Sequence, residues 1–196
     1  VKVGLEEEDV HRPSDELSGP IVVGQVLSME PETHSNGKTV NWCQVRVVPE
    51  GQEQTLTGKG IEPSGVQGII CGAHNFKPGD KVVVTLPGAV LPGGFAITAR
   101  KTYGHKSAGM IASTRELGIG DDHGGILVLS TLGLDPELGT DAMELLGLYD
   151  QAAEVNVTPD RGYAFSLRGI AREWSHATGT PFEDFVLAYG ERAPEA

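Results

Sequence analysis

Five short apolar runs, each closed by glycine or proline, follow one another between residues 20 and 112. The first, Ile21-Val22-Val23-Gly24-Gln25-Val26-Leu27, is β-branched and gives out before Pro31. Val40-Asn41-Trp42-Cys43-Gln44-Val45-Arg46-Val47 alternates apolar with polar, the period of a strand with one face in water. Between these two, Ser35-Asn36-Gly37-Lys38 carries the Asn-Gly hairpin signal. Gly68-Ile69-Ile70-Cys71-Gly72, Lys81-Val82-Val83-Val84-Thr85-Leu86 and Phe95-Ala96-Ile97-Thr98-Ala99-Arg100 complete the set. An open sheet of this size leaves two edges to protect, so five short strands at this spacing predict a small closed barrel. The turns draw on 27 glycines among 196 residues, about twice the usual share. With 39% hydrophobic and 21% charged residues, the chain reads as globular rather than disordered.

The flanks follow other patterns. Val1-Lys2-Val3-Gly4-Leu5 predicts one strand; an acidic run, Glu6-Glu7-Glu8-Asp9, and a linker closing on Leu17-Ser18-Gly19-Pro20 come after it. That acidic start is not a secretory signal, which needs basic then apolar residues. From 113 onward helix signals appear. Ser113-Thr114-Arg115-Glu116 has capping-box spacing ahead of Leu117. Thr140 to Gly147 predicts a capped turn or two. Ser166 to Thr178 predicts the best helix, with Leu167, Ile170, Ala171, Trp174 and Ala177 at three- to four-residue spacing and Gly179 as its stop. The uncharged stretch Val82 to Ala99 is broken by Pro87, Gly88, Pro92, Gly93 and Gly94, so it cannot be a membrane helix. A chain that starts on Val reads as a piece of something larger.

Catalytic chemistry finds little support in the pattern. Cys43 and Cys71 lie 28 residues apart without a CxxC, which predicts two buried reduced thiols. Gly118-Ile119-Gly120-Asp121-Asp122-His123-Gly124 departs from the dinucleotide fingerprint in spacing, and its carboxylates fall where a pyrophosphate belongs. Gly104-His105-Lys106-Ser107 lacks the upstream glycine of a phosphate loop. Asp121-Asp122-His123 reads as a polar turn rather than a metal site. His34, His74, His105 and His176 have no HxxxH or HExxH partner, and no serine sits in a nucleophile elbow. The expectation is no catalytic and no metal residue.

The formal charge of −12, taken whole, argues against nucleic acid. By zone it does not. Residues 20–112 carry eight bases and six acids, whereas 1–19 carry two and six, and 113–196 five and fifteen. The densest basic run, Arg100-Lys101-Thr102-Tyr103-Gly104-His105-Lys106-Ser107, has an aromatic inside it. Lysine and arginine on phosphates with a base stacked on Tyr103 suit single-stranded or loop RNA; a solvated loop with a packed tyrosine remains the alternative.

Several strings resemble a known family. Val22-Val23-Gly24-Gln25-Val26-Leu27, Gly68-Ile69-Ile70-Cys71-Gly72-Ala73-His74-Asn75 and Lys77-Pro78-Gly79-Asp80-Lys81-Val82-Val83-Val84 resemble the tRNA-binding OB domain, free-standing or fused to aminoacyl-tRNA synthetases. Leu86 to Phe95, Glu116 to His123, Val157-Thr158-Pro159-Asp160-Arg161 and Ser166 to Glu173 narrow the resemblance to the N-terminal part of bacterial phenylalanyl-tRNA synthetase β subunits. The resemblance implies an α+β, mainly β architecture: a five-stranded Greek-key OB barrel, residues 19–135, inserted in a small α/β domain made of 1–18 and 136–178. Residues 179–196 then open a following editing domain or form a tail, and Arg161 and Arg168 anchor the small domain. In place of the family's His-Pro-Asn-Ala-Asp-Lys-Leu string stands Glu32-Thr33-His34-Ser35-Asn36-Gly37-Lys38-Thr39, with Lys38 as its base. Ser107-Ala108-Gly109-Met110 keeps the family's Ser-x-Gly-Met.

The implied function is tRNA binding by a non-catalytic module, with Lys38, Arg46, Arg100, Lys101 and Lys106 on the RNA backbone. Asn75 and Ser107 serve as neutral donors and Tyr103 as a platform. The implied partners are tRNA(Phe) and the synthetase α subunit, with neither membrane nor DNA, in the cytoplasm. No cofactor is expected in these residues; ATP and Mg2+ belong to the intact enzyme. The alternative is an OB module that only packs other domains and touches no RNA.

Overall fold

The computed structural model describes residues 4–35, 37–122 and 124–184. By internal packing the chain divides into a barrel unit, 12–150, and a small unit built from the two flanks, which among the described residues are 4–11 and 151–184. In chain order the elements are β1 (Glu6–His11), β2 (Ile21–Thr33), β3 (Thr39–Arg46), β4 (Val66–Cys71), β5 (Lys81–Thr85), β6 (Val90–Leu91), β7 (Phe95–Ala96), β8 (Ala99–Thr102), β9 (His105–Ala108), β10 (Met110–Ile111), α1 (Ala142–Leu145), β11 (Ala152–Asn156) and α2 (Leu167–Thr178).

The barrel unit is built on one antiparallel sheet of order β10-β5-β2-β3-β4. Its curl comes from β2. Ile21–Gln25 pair with β5 and Gln25–Thr33 pair with β3, so the two neighbours meet the same strand at successive levels. Leu27 is an extra residue between the Val26 and Ser28 pairs, and such a bulge bends a strand and steepens its twist. The sheet curls into a half-barrel, and β4 comes round against β9 and β10. At that seam the Ile70 backbone N–H donates to Ser107 Oγ at 3.0 Å. Gly109, between β9 and β10, has φ +122°, and a Cβ there would stand 2.9 Å from the Thr85 carbonyl oxygen. Only glycine fits.

Packing explains the unbroken apolar runs. Val22, Val26, Val82 and Val84 point inward with Val45, Ile69 and Ile111. Their neighbours Ile21, Val23 and Val83 point the other way, against Leu91, Leu117, Leu129 and Met143. Strands buried on both faces lose the polar phase of their alternation. Cys43 and Cys71 are free and buried in the inner core. Burial, with Cys71 close by, pushes the Cys43 thiol up from 9.0 to about 12.

Four expectations need correction. The fifth strand of the sheet is Met110–Ile111, not the run 95–100. That run divides into β7 and β8, which pair with β6 and β9 in hairpins of their own, because Ile97 turns into the core between them and its N–H donates to the Ala89 carbonyl. The Ser113 capping box forms both its hydrogen bonds, Glu116 Oε2 accepting from Ser113 N at 2.7 Å and Ser113 Oγ accepting from Glu116 N at 3.3 Å. It closes a turn and not a helix, since the Gly118 N–H bonds Arg115 and Leu117 is buried in the core. Among the described residues the first strand is Glu6–His11, and Gly4 and Leu5 of the expected run precede it, residues 1–3 lying outside the described set. It pairs antiparallel with β11 in a ribbon exposed on both faces, where acidic side chains stay hydrated. Finally, residues 12–18 and 136–150 pack with the barrel unit: Leu17 and Leu148 are buried in its outer core layer, and Ser18 bridges Val90.

The other two helices form where expected. Asp141 Oδ1 caps α1, accepting from Met143 N at 2.8 Å, and Ser166 Oγ caps α2, accepting from Gly169 N at 3.0 Å. Gly179 ends α2 in the left-handed conformation. In the small unit Arg168 bonds Asp184, and the Arg161 guanidinium lies against Gly4, where a Cβ would approach it to 2.7 Å.

Ile69→Ala should lower the urea-derived stability by about 2–5 kcal/mol, as a cavity in a core with no room to collapse. Because Cys43 ionises in the unfolded chain near 9.0 but in the fold only near 12, stability is full below pH 9 and should fall as pH rises from there. Urea midpoints across that range, flattened in Cys43→Ala, measure the effect.

Candidate nucleic-acid interface

The outer face of the sheet is set by the polar phase of β3. Asn41, Cys43 and Val45 are buried, while Trp42, Gln44 and Arg46 alternate outward and stay partly exposed. Asn41 is the inward exception, its Nδ2 donating to the Ala73 carbonyl at 2.7 Å. Trp42 lies flat across the neighbouring strand at Gly68, where a Cβ would stand 2.2 Å from its ring. On this platform His105 stacks, ring centroids 4.2 Å apart and planes 17° from parallel.

A second stack lies alongside. The β8–β9 hairpin turns on Tyr103-Gly104, both at positive φ (51° and 87°), the geometry of a two-residue type I′ turn. Tyr103 is the non-glycine residue with positive φ among those described, a conformation that costs roughly 1 kcal/mol. Its ring rests on His34 at 4.2 Å and 27°. Glu32 joins the two stacks: Oε1 accepts from His105 Nε2 at 2.8 Å, and Oε2 lies 3.6 Å from His34 Nε2. The end of β2, the middle of β3 and the tip of the β8–β9 hairpin thus form one aromatic–imidazole cluster around a carboxylate.

The expected bases frame this cluster unequally. Lys38 is exposed in the β2–β3 connection, its carbonyl accepting from the His34 N–H at 2.9 Å, which sets it beside the Tyr103 stack. Arg46 ends β3 on the Trp42 face. Lys101 and Lys106 sit directly opposite each other in the hairpin, and Arg100 opposite Ser107. Neighbouring like charges destabilise such a pair; Lys106 Nζ answers with a 2.8 Å bond to Glu62 Oε1. The Arg100 guanidinium lies 5.4 Å over the Phe95 ring, and its Nε donates to Thr98 Oγ1 at 3.2 Å.

Two expected donors already serve the fold. Asn75 donates from Nδ2 to the Ile126 carbonyl at 2.8 Å and accepts at Oδ1 from the Ile126 N–H at 2.9 Å, as a strand neighbour would. Ser107 Oγ accepts the Ile70 N–H at the barrel seam, leaving its own proton to donate. Residues missed at the sequence level are Trp42, His34, His105 and Glu32. The available signal was Trp42, an aromatic on the polar phase of an alternating strand, with a glycine in the strand that follows.

What such a face can do is stack flat rings on aromatic side chains while bases meet an anionic backbone. Over its whole length the chain is 63% identical to the phenylalanine–tRNA ligase beta subunit of Leifsonia xyli subsp. xyli, of which it covers 23%. The chain belongs to the phenylalanine–tRNA ligase beta-subunit family. It is 53% identical to the beta subunit of Bifidobacterium longum, covering 100% of this chain and 22% of that protein. With that of Tropheryma whipplei the identity is 52% over 94% of this chain and 21% of that protein. It therefore spans about a fifth of the length of these beta subunits. No family model matches the chain.

In this beta-subunit chain Ser107→Ala leaves the Ile70 N–H without its acceptor. The expected cost is about 1–3 kcal/mol in urea unfolding, with faster hydrogen exchange at the Ile70 amide while the Trp42–His105 stack is retained.

Proposed function

We propose that this chain is the tRNA-binding OB module of a phenylalanine–tRNA ligase beta subunit and performs no chemistry itself. The observation that carries the reading is the pair of aromatic–histidine stacks framed by Lys38, Arg46, Arg100, Lys101 and Lys106 on the outer face of a curled five-stranded sheet. The strand order, with β2 shared by β5 and β3, supports an OB barrel of Greek-key type, whose outer sheet face and loops take single-stranded nucleic acid. The bases neutralise RNA phosphates, while Tyr103 offers a ring on which an unpaired base stacks.

In the intact synthetase this module works beside an α subunit, in the cytoplasm, holding tRNA(Phe) while phenylalanine is activated with ATP and Mg2+ elsewhere. Among the described residues no group of three His, Cys, Asp or Glu is placed to hold a metal ion. No helix among the described residues is long and apolar enough to cross a membrane.

Fluorescence anisotropy with labelled tRNA(Phe) tests the reading. Binding should be weak and fall steeply with salt, because it rests on phosphate neutralisation. Lys101→Glu with Lys106→Glu should weaken it at least roughly tenfold and lower the salt slope by about 1–2. No measurable binding at low salt, or an affinity unmoved by the double variant, sinks the proposal. The pairing of Lys106 with Glu62 favours a second reading, a module that packs synthetase domains without touching RNA. Unchanged tRNA affinity together with weaker association with the rest of the enzyme selects it.

A further inference from the structure

The amphipathic helix of the small unit is oriented against its own pattern. Gly169 and Glu173 are its buried residues, and the Glu173 carboxylate accepts from the Tyr163 hydroxyl at 2.8 Å. Leu167, Ala171 and Trp174, at i, i+4 and i+7, occupy the opposite side. Leu167 is 92% exposed and Trp174 65%, and Phe165, just ahead of the helix, is 78% exposed. A contiguous stripe of large apolar side chains in water is the mark of an interaction surface, whereas scattered single residues need no explanation.

Two further observations identify what covers it. Residues 180–184 return along the arginine side of α2: Arg168 in its first turn holds Asp184, and the Arg172 guanidinium lies 5.7 Å over the Phe182 ring. Asp184 is therefore held by the first turn of α2. The relatives of 63%, 53% and 52% identity also carry far more polypeptide than this chain, which covers 23%, 22% and 21% of them. We propose that the Leu167–Ala171–Trp174 face of α2 is the docking surface for the remainder of the same beta-subunit polypeptide, which seats an apolar surface on it. The inference rests on membership of the beta-subunit family and is independent of whether the barrel binds tRNA.

Thiol labelling of Leu167→Cys tests it, with Leu132→Cys, half-exposed on the barrel unit, as the reference and the unsubstituted protein as background for Cys43 and Cys71. In the chain of residues 1–196 the two sites should label at similar rates. In the full-length beta subunit Leu167→Cys should fall behind the reference by about 100-fold, the scale of protection that stable docking confers. Equal labelling in the full-length subunit overturns the proposal. Slow labelling already in residues 1–196 also overturns it: concentration-dependent protection assigns the face to a second copy, concentration-independent protection to another part of residues 1–196. Protection that arises only on adding the α subunit overturns it in favour of that partner.

Discussion

The pairing of β2 with β5 is the interaction on which the rest of the barrel unit depends. Ile21 to Gln25 and Lys81 to Thr85 run side by side, and their side chains alternate between two cores, one inside the curl and one behind it. Every β-branched residue in this ladder is buried on whichever side it faces, so the pair satisfies its backbone and fills two apolar layers at once. The long β2 then carries the order set here into β3, and the Leu27 bulge turns the sheet toward closure. Residues distant in sequence are recruited to the same ladder: the outer layer behind Val83 is supplied by Leu117, Leu129 and Met143. That is why 136–150 belongs with the barrel rather than with the flank.

This dependence decides what could be read from residue order alone. β2 to β5 were legible because β-branched runs bounded by glycine and proline leave few alternatives. Met110–Ile111 was not: two residues show no period, and they become a strand only because Gly109 lets the chain reach the Thr85 carbonyl. The Ser113 box shows the reverse, a local signal fulfilled in every hydrogen bond without a helix, because Leu117 is drawn into the core one turn later. Local chemistry caps a turn; tertiary burial decides whether a helix follows. At the candidate interface the basic residues of the hairpin were legible from composition. The two stacks were not, since His34, Trp42, Tyr103 and His105 come from three elements and meet only through the register of the sheet.

In the small unit the same competition has another outcome. Six residues of β1 and five of β11 form a ribbon exposed on both faces, and a two-stranded ribbon is marginal in water by itself. α2 adds caps at both ends but buries a glycine and a glutamate in place of its apolar stripe. The capping residues and the 3.6-residue period were enough to foretell the helix. They could not foretell which side it buries, because that is set by the Tyr163–Glu173 bond and by what lies opposite.

The hairpin β8–β9 and the outer face of β3 gather local choices that stability alone would not favour. Tyrosine takes a backbone conformation suited to glycine or asparagine, two lysines face each other across the strands, and an arginine and a tryptophan remain partly in water. Departures of this kind cluster where a protein keeps a surface for recognition. Here each is held by a neighbour: Tyr103 by His34, Lys106 by Glu62, Trp42 by the space that Gly68 leaves. The net charge of −12 therefore says little about this face. The acidic excess is shared between the flanks and the barrel unit, whose residues 12–150 carry ten bases and sixteen acids, and at this face what matters is that Glu32 and Glu62 are each engaged with a hairpin residue. Lys101, exposed in β8 beside them, presents its charge to solvent, and the placement of such charges on one face, more than the net charge of the chain, sets the local field.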